Sequence, residues 1–106
     1  MLNPAMNNAK WNELCLEMSA LELRPAYSIL CTNGRRSDLD REWFYHLRDK
    51  ENGFSDILHL NILTDTPAQR EAVRSILKKI HIPGTETPEG FLIFGYLEDG
   101  QTADFI

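Results

Sequence analysis

The chain has 106 residues, close to the commonest size of a single domain, and a chain of this length buries roughly 65% of its unfolded surface on folding. Its hydrophobic fraction of 42% and charged fraction of 25% are those of an ordinary globular protein and exclude a disordered or collagen-like chain. The net charge of −5 argues against nucleic acid as a partner, because affinity for phosphates comes mainly from Lys and Arg.

The N-terminal residues and the cysteines bear on where the protein works. No apolar run reaches the roughly 18 residues that a membrane-spanning helix needs, and the first residues lack the pattern of a secretory signal. Cys15 and Cys31 belong to no metal-binding or redox motif and are interpreted as structural thiols. We therefore expect a cytoplasmic protein without membrane association, in which residues 1–6 are a flexible extension and residues 7–106 form a single domain.

A helix and a strand are predicted in the first third of the chain. Asn7 or Asn8 can cap an amphipathic helix that ends before Pro25, since the residue before proline avoids helical geometry. Its apolar stripe comprises Trp11, Leu14, Cys15, Met18 and Leu21. Residues 26–32 alternate as a strand does, and residues 35–42 are charged and aperiodic, which is typical of an exposed loop.

Residues 43–48 and 55–63 are predicted to be a second and a third strand, joined by a turn at residues 49–53. The predicted core faces are Trp43, Tyr45 and Leu47 on one strand and Leu58, Leu60 and Ile62 on the other. Pairing these faces places His46 opposite His59 on the outer face. The residues around the two histidines are then Phe44, Arg48 and Asn61. Such a face is solvated, binds a partner, or holds half of a metal site with Asp56 or Glu42.

A second helix is the most strongly indicated element. Thr66 can cap it, Pro67 suits its first position, and Gln69 completes a capping box. Its apolar stripe comprises Val73, Ile76, Leu77 and Ile80.

Two strands are predicted at the end of the chain. Residues 91–97 are apolar on both faces, as in a central strand, and Asp99-Gly100 is a hairpin turn that leads into a last strand over residues 102–106. The order is thus helix, three strands, helix, two strands. The predicted fold class is α+β, with a mainly antiparallel sheet packed against two helices.

The sequence contains no recognisable catalytic pattern. None of His46, His59 and His81 accompanies a nucleophile motif, and the glycines mark turns instead of forming a phosphate-binding loop. Paired carboxylates such as Asp38 and Asp40 are typical of solubilising charge in loops. We therefore predict no catalytic residue, no cofactor and no metal site.

Several short motifs resemble a family of small, uncharacterised bacterial proteins. They are Trp11-x-x-Leu14 in the first helix, Glu42-Trp43-Phe44-Tyr45-His46, Ile80-His81-Ile82-Pro83-Gly84, Gly95-Tyr96 and Asp104-Phe105-Ile106. The resemblance covers nearly the whole chain from Met6 onward and implies no function. Where the family tends to have Trp-Asp-Gly, this chain has Leu39-Asp40-Arg41. Small acidic proteins of this kind are also similar in class to immunity proteins, which neutralise toxins.

Our leading hypothesis is a non-catalytic module, of immunity or regulatory type, that binds a protein partner with a basic or mixed surface. The predicted partner-binding residues are Phe44, His46, Arg48 and His59, and the acidic flank of Glu13, Glu17 and Glu22 is a second candidate. One alternative is a small-ligand-binding protein or enzyme whose site is assembled from distant residues. Another is a structural domain that self-associates through residues 102–106.

Overall fold

A computed structural model describes residues 1–48 and 53–106, and for Arg48 the backbone alone. These residues form an α+β fold, which confirms the predicted class. In chain order the elements are β1 (Leu2–Pro4), α1 (Asn8–Ser19), β2 (Ala26–Cys31), a π-helical turn (Phe44–Arg48), β3 (Ile57–Leu63), α2 (Pro67–Ile80), β4 (Gly84–Thr87), β5 (Gly90–Phe94) and β6 (Tyr96–Glu98). Within the described residues no helix is both long and apolar enough to cross a membrane.

Helix α1 begins at the predicted cap and ends earlier than expected. The Asn7 side chain accepts a hydrogen bond from the Lys10 amide at 2.8 Å, and Ala20 caps the C-terminus. The buried stripe is Trp11, Leu14, Cys15 and Met18. Leu21, predicted as the next member of the stripe, lies beyond the helix and is half-buried.

Helix α2 has the predicted cap and stripe. Thr66 Oγ1 accepts the Gln69 amide at 3.1 Å, and Pro67 occupies the first turn. Gln69 Oε1 accepts the Asp65 amide, one residue before the position that a standard capping box uses. The buried residues are Gln69, Val73, Ile76, Leu77 and Ile80.

Four antiparallel strands form the main sheet in the order β2-β3-β5-β4. On the covered face, which packs against both helices, the register aligns Tyr27 with Ile62 and Phe91, and Ile29 with Leu60 and Ile93. On the other side, called here the open face, it aligns Leu30 with His59 and Phe94, and Ser28 with Asn61 and Leu92. Both helices therefore lie on one side of the sheet.

The first half of β3 departs from the predicted alternation. The register between β2 and β3 shifts after Leu30, which pairs with His59, whereas Cys31 pairs with Ile57. Ile57 is consequently fully buried and Leu58 only half-buried, although the sequence predicted Leu58 for the core. Such a shift places two residues of one strand opposite one of the other.

The prediction of a strand over residues 43–48 is wrong, because the chain forms a π-helical turn there. Trp43 and Leu47 are both fully buried, whereas Tyr45 is 68% exposed. Burial at positions i and i+4 follows the helical period, which the sequence could not distinguish from every second residue of a short strand. Residues 49–52 of the predicted turn lie outside the described residues.

The predicted C-terminal hairpin is also wrong. The chain turns at Gly100, where φ is +81°, but residues 102–106 form no strand, and Phe105 makes a single bridge to Pro83. The expected strand over residues 91–97 is divided at Gly95, where the backbone lies so close to β3 that a Cβ would collide with the Ile57 carbonyl. β6 then pairs with β1.

Candidate functional site

The structure separates the four predicted partner-binding residues. Phe44 and His46 lie on the π-helical turn, which packs against α1, whereas His59 lies on the open face. β3 has β2 and β5 as neighbours, so the predicted pairing of His46 with His59 is wrong. The backbone of Arg48 ends the π-helical turn, and its side chain lies outside what the structure describes. The residues predicted to share one face therefore lie on two separate surfaces.

Two carboxylates hold the backbone around the π-helical turn. Glu42 Oε1 accepts hydrogen bonds from the amides of Phe44 and Tyr45 at 3.1 and 3.3 Å. Asp40 Oδ1 accepts the Glu42 amide at 2.9 Å, and Asp40 Oδ2 lies 2.7 Å from His46 Nδ1. The first amides of a helical turn have no backbone acceptor, and these side chains supply one.

Trp43 anchors the same segment in the core. Its indole Nε1 donates to the Pro25 carbonyl at 3.0 Å, and its ring centroid lies 4.4 Å from that of Tyr27. The Tyr27 hydroxyl donates to the Glu42 carbonyl at 2.7 Å. Burial, reinforced by the nearby Asp40 carboxylate, raises the pKa of Tyr27, which keeps the phenol neutral as a donor. The buried side chains of Trp43 and Tyr27 thus hold the start of the π-helical turn against the core.

Three side chains on the π-helical turn form a surface that we call the aromatic patch: Phe44, Tyr45 and His46. The rings of Phe44 and Tyr45 meet edge to face with centroids 5.2 Å apart. The His46 side chain is 62% exposed despite its contact with Asp40. Partial burial would raise the pKa of Asp40, but hydrogen bonds from the Glu42 amide and His46 lower it below 3.8. Asp40 therefore stays ionised and orients the imidazole.

A charged cleft of about 730 Å³ adjoins the aromatic patch. It is lined by Leu21, Glu22, Leu23, Arg24, Asp40, Arg41, Glu42 and Asp65. Arg24 pairs with Glu42 at 3.4 Å and Arg41 with Asp65 at 3.6 Å. Arg24 and Glu42 also line a hollow beside Phe44 and Tyr45, so the cleft and the aromatic patch are continuous. Together they are called the docking surface.

A second concavity, the sheet pocket, lies on the open face and has a volume of about 280 Å³. It is lined by Ser28, Leu30, Arg36, His59, Asn61, Thr87 and Leu92. Residues 35–40 run along the edge of β2, where Arg36 forms a β-bridge with Leu30. This bridge places Arg36 at the sheet pocket. The His59 ring contacts Phe94 edge to face at 5.5 Å. Burial, and then the nearby Arg36 cation, lower the pKa of His59.

A family model of unknown function, DUF6678, matches residues 1–100. The chain belongs to this family. It matches no curated protein and no protein of solved structure. The matched region contains both the docking surface and the sheet pocket, so either site is open to comparison within the DUF6678 family.

The acidic flank proposed as a second binding surface is divided in this DUF6678 member. Glu17 pairs with Lys79 of α2 at 2.9 Å, and this hydrogen bond raises the pKa of Lys79. Glu22 lies beyond the end of α1 and lines the charged cleft. Glu13 remains exposed on α1. Among the described residues, no three His, Cys, Asp or Glu side chains are grouped as metal ligands.

Three residues that form the two surfaces of this DUF6678 member were not predicted as site residues from the sequence. Tyr45 was predicted to face the core but is 68% exposed. Ser28 and Arg36 line the sheet pocket although neither was proposed for a site. The alternation of residues 26–32 does place Ser28 on the face opposite Tyr27, whereas nothing in the sequence shows that residues 35–40 return along β2.

Proposed function

We propose that this protein is a non-catalytic module that docks a protein partner through the docking surface. The observation that carries the proposal is an aromatic ring left in solvent on a backbone segment that the rest of the fold holds in place. Tyr45 is 68% exposed, while its own amide is bound by Glu42 and the preceding Trp43 is fully buried. Tyr and Arg are enriched among residues that dominate binding energy.

A rigid presentation of Tyr45 favours binding because little conformational freedom is lost when the partner arrives. Phe44 lies half-buried beside it and supports the ring. Leu23, 55% exposed, adds a second apolar side chain in the adjoining cleft. The docking surface therefore combines apolar anchors with charged groups that are held in ion pairs at its rim, which is the usual anatomy of an interface.

The charge of the cleft indicates the partner's chemistry. The lining contains the carboxylates of Glu22, Asp40, Glu42 and Asp65 and the guanidinium groups of Arg24 and Arg41. Carboxylates outnumber cations, so the cleft favours a partner that presents Lys or Arg around an apolar centre. We accordingly propose a partner with a basic or mixed surface, and an association rate that falls as salt is added.

The biological setting belongs to the same proposal. An acidic, single-domain protein with a preformed docking surface suits an immunity or regulatory role, in which one protein binds and silences another. We place this role in the bacterial cytoplasm, on the resemblance described above.

The test is affinity capture with the tagged protein in its native host, followed by a binding measurement with the purified partner. Tyr45→Ala should weaken binding by about 30-fold or more, as expected for a hot-spot residue. Glu22→Gln should slow association at low salt with little change in dissociation. Isothermal titration calorimetry and surface plasmon resonance measure the two effects.

His59→Ala is the matched control, because His59 lies on the open face. Its affinity for the partner should equal that of the wild type. A partner lost with His59→Ala but retained with Tyr45→Ala would move the docking surface to the open face. Failure of the captured protein to bind in purified form would contradict the proposal as a whole.

A further inference from the structure

We propose that the sheet pocket is a binding site for a small monocarboxylate with a short apolar body, in which Arg36 pairs with the carboxylate and Ser28 and Asn61 supply hydrogen bonds. This site is separate from the docking surface. It lies on the open face, away from α1 and the π-helical turn.

The charge of the sheet pocket is the opposite of that of the whole chain. The chain carries a net charge of −5. Among the described residues that line the pocket there is one guanidinium group and one imidazole, and no carboxylate. Arg36 forms no ion pair with any residue that the structure describes. A guanidinium group presents a planar set of donors that matches a carboxylate, which makes an anion the natural ligand.

Three polar side chains in the pocket have no hydrogen-bond partner in the part of the chain that the structure describes. Ser28 is only 7% exposed, yet its hydroxyl makes no hydrogen bond within residues 1–48 and 53–106. The side chains of Asn61 and His59 likewise have no hydrogen-bond partner among those residues. Buried polar groups in proteins are nearly always hydrogen-bonded, so we expect the Ser28 hydroxyl to bind a group that lies outside the described residues.

Size and apolar lining define the rest of the ligand. The volume of about 280 Å³ corresponds to roughly nine water molecules and is just below the range for drug-sized ligands. Leu30 and Leu92 form the apolar walls on β2 and β5. A single cation with apolar walls suits one carboxylate on a short carbon chain better than a multiply charged phosphate, which several cations would bind.

Sodium butyrate is a suitable probe, with butyramide as its neutral counterpart. In an NMR titration at constant ionic strength, butyrate should produce saturable shifts at Ser28, His59 and Leu92. Butyramide and inorganic phosphate should each bind at least about tenfold more weakly, since they lack the single carboxylate. Bound butyrate should also raise the pKa of His59, because a nearby negative charge favours the imidazolium form.

Two variants test the assigned contacts. Arg36→Gln should weaken butyrate binding by about tenfold, while Arg35→Gln, which changes a neighbouring side chain outside the pocket, should leave it unchanged. Ser28→Ala should cost about fivefold through the lost hydrogen bond. Circular dichroism verifies that each variant is folded.

Shifts that increase without saturation, equal responses to butyrate and butyramide, or unaltered affinity in Arg36→Gln would each overturn the proposal. Tighter binding of phosphate than of butyrate would overturn the monocarboxylate assignment. None of these results bears on the docking surface, because the partner-binding measurement uses different variants and a different ligand.

Discussion

The docking surface and the sheet pocket are built in opposite ways. The aromatic patch of the docking surface comes from consecutive residues, and its backbone is held by the carboxylates of Asp40 and Glu42. The sheet pocket comes from residues on four strands and a returning loop, and the sheet register aligns the strands. The two surfaces also differ in charge, since acids dominate the cleft and the sheet pocket presents Arg36. The net charge of −5 therefore has the sign of the cleft and not that of the sheet pocket.

The difference extends to how each surface depends on the core. The aromatic patch sits on one deeply buried side chain, Trp43, which is also hydrogen-bonded. The sheet pocket lies on the open face of the sheet, and the covered face of the same strands packs in the core. No single buried side chain therefore supports the pocket. We expect changes at Trp43 to reach the docking surface first.

The largest expected effect is that of Trp43→Ala. Removing a fully buried indole should lower the free energy of unfolding by about 3–5 kcal/mol, because a cavity forms and the Pro25 carbonyl loses its donor. Urea unfolding followed by circular dichroism measures this loss. Tyr45→Ala, two residues away and exposed, should change stability by no more than about 0.5 kcal/mol. Equal losses in the two variants would contradict the assigned burial.

Trp43 also illustrates what the sequence could not decide. The predicted strand rested on Trp43, Tyr45 and Leu47 as every second residue, but two buried residues four positions apart fit a helical turn equally well. The hydrogen bonds that stabilise the turn are accepted by the Glu42 side chain. A glutamate within a charged loop does not by itself predict such hydrogen bonds. The period therefore left a strand and a helical turn as alternatives, and a side-chain contact selected the turn.

Longer elements were predictable because their signals agreed. In α2 the cap Thr66, Pro67 in the first turn and the buried stripe all indicated one helix, and the structure contains it. β2 and β3 were also located to within about two residues. The C-terminal hairpin failed because Asp99-Gly100 does form a turn, but residues 102–106 lead to Pro83 instead of back along β6. A local turn signal contains no information on the distant partner.

A smaller effect is expected at Asp40. Its pKa is lower in the folded chain than its ordinary value of 3.8, so the ionised carboxylate stabilises the fold above that pH, and the contribution is lost as the pH falls through the folded pKa. Asp40→Asn should therefore cost a few tenths of a kcal/mol at pH 7, because solvent screens the partly exposed side chain, and less at pH 3, below its ordinary pKa. Urea unfolding at both pH values tests this, and the exposed Asp38→Asn serves as the control. A cost that does not vary with pH would contradict the ionic role of Asp40.

The smallest expected effect is at His59 and lies in a different pH range. Its pKa is lowered from 6.5, first by burial and then by Arg36, so the neutral imidazole stabilises the fold above pH 6.5, and this contribution is lost as the pH falls through the folded pKa. In buffer without carboxylates, the wild type should lose a few tenths of a kcal/mol between pH 7.5 and 5.5, and His59→Gln should lose less. Arg36→Gln should retain most of the wild-type dependence, because burial is the larger cause. A pH dependence that disappears in Arg36→Gln would make the cation the dominant cause and the sheet pocket more open to solvent than the structure indicates.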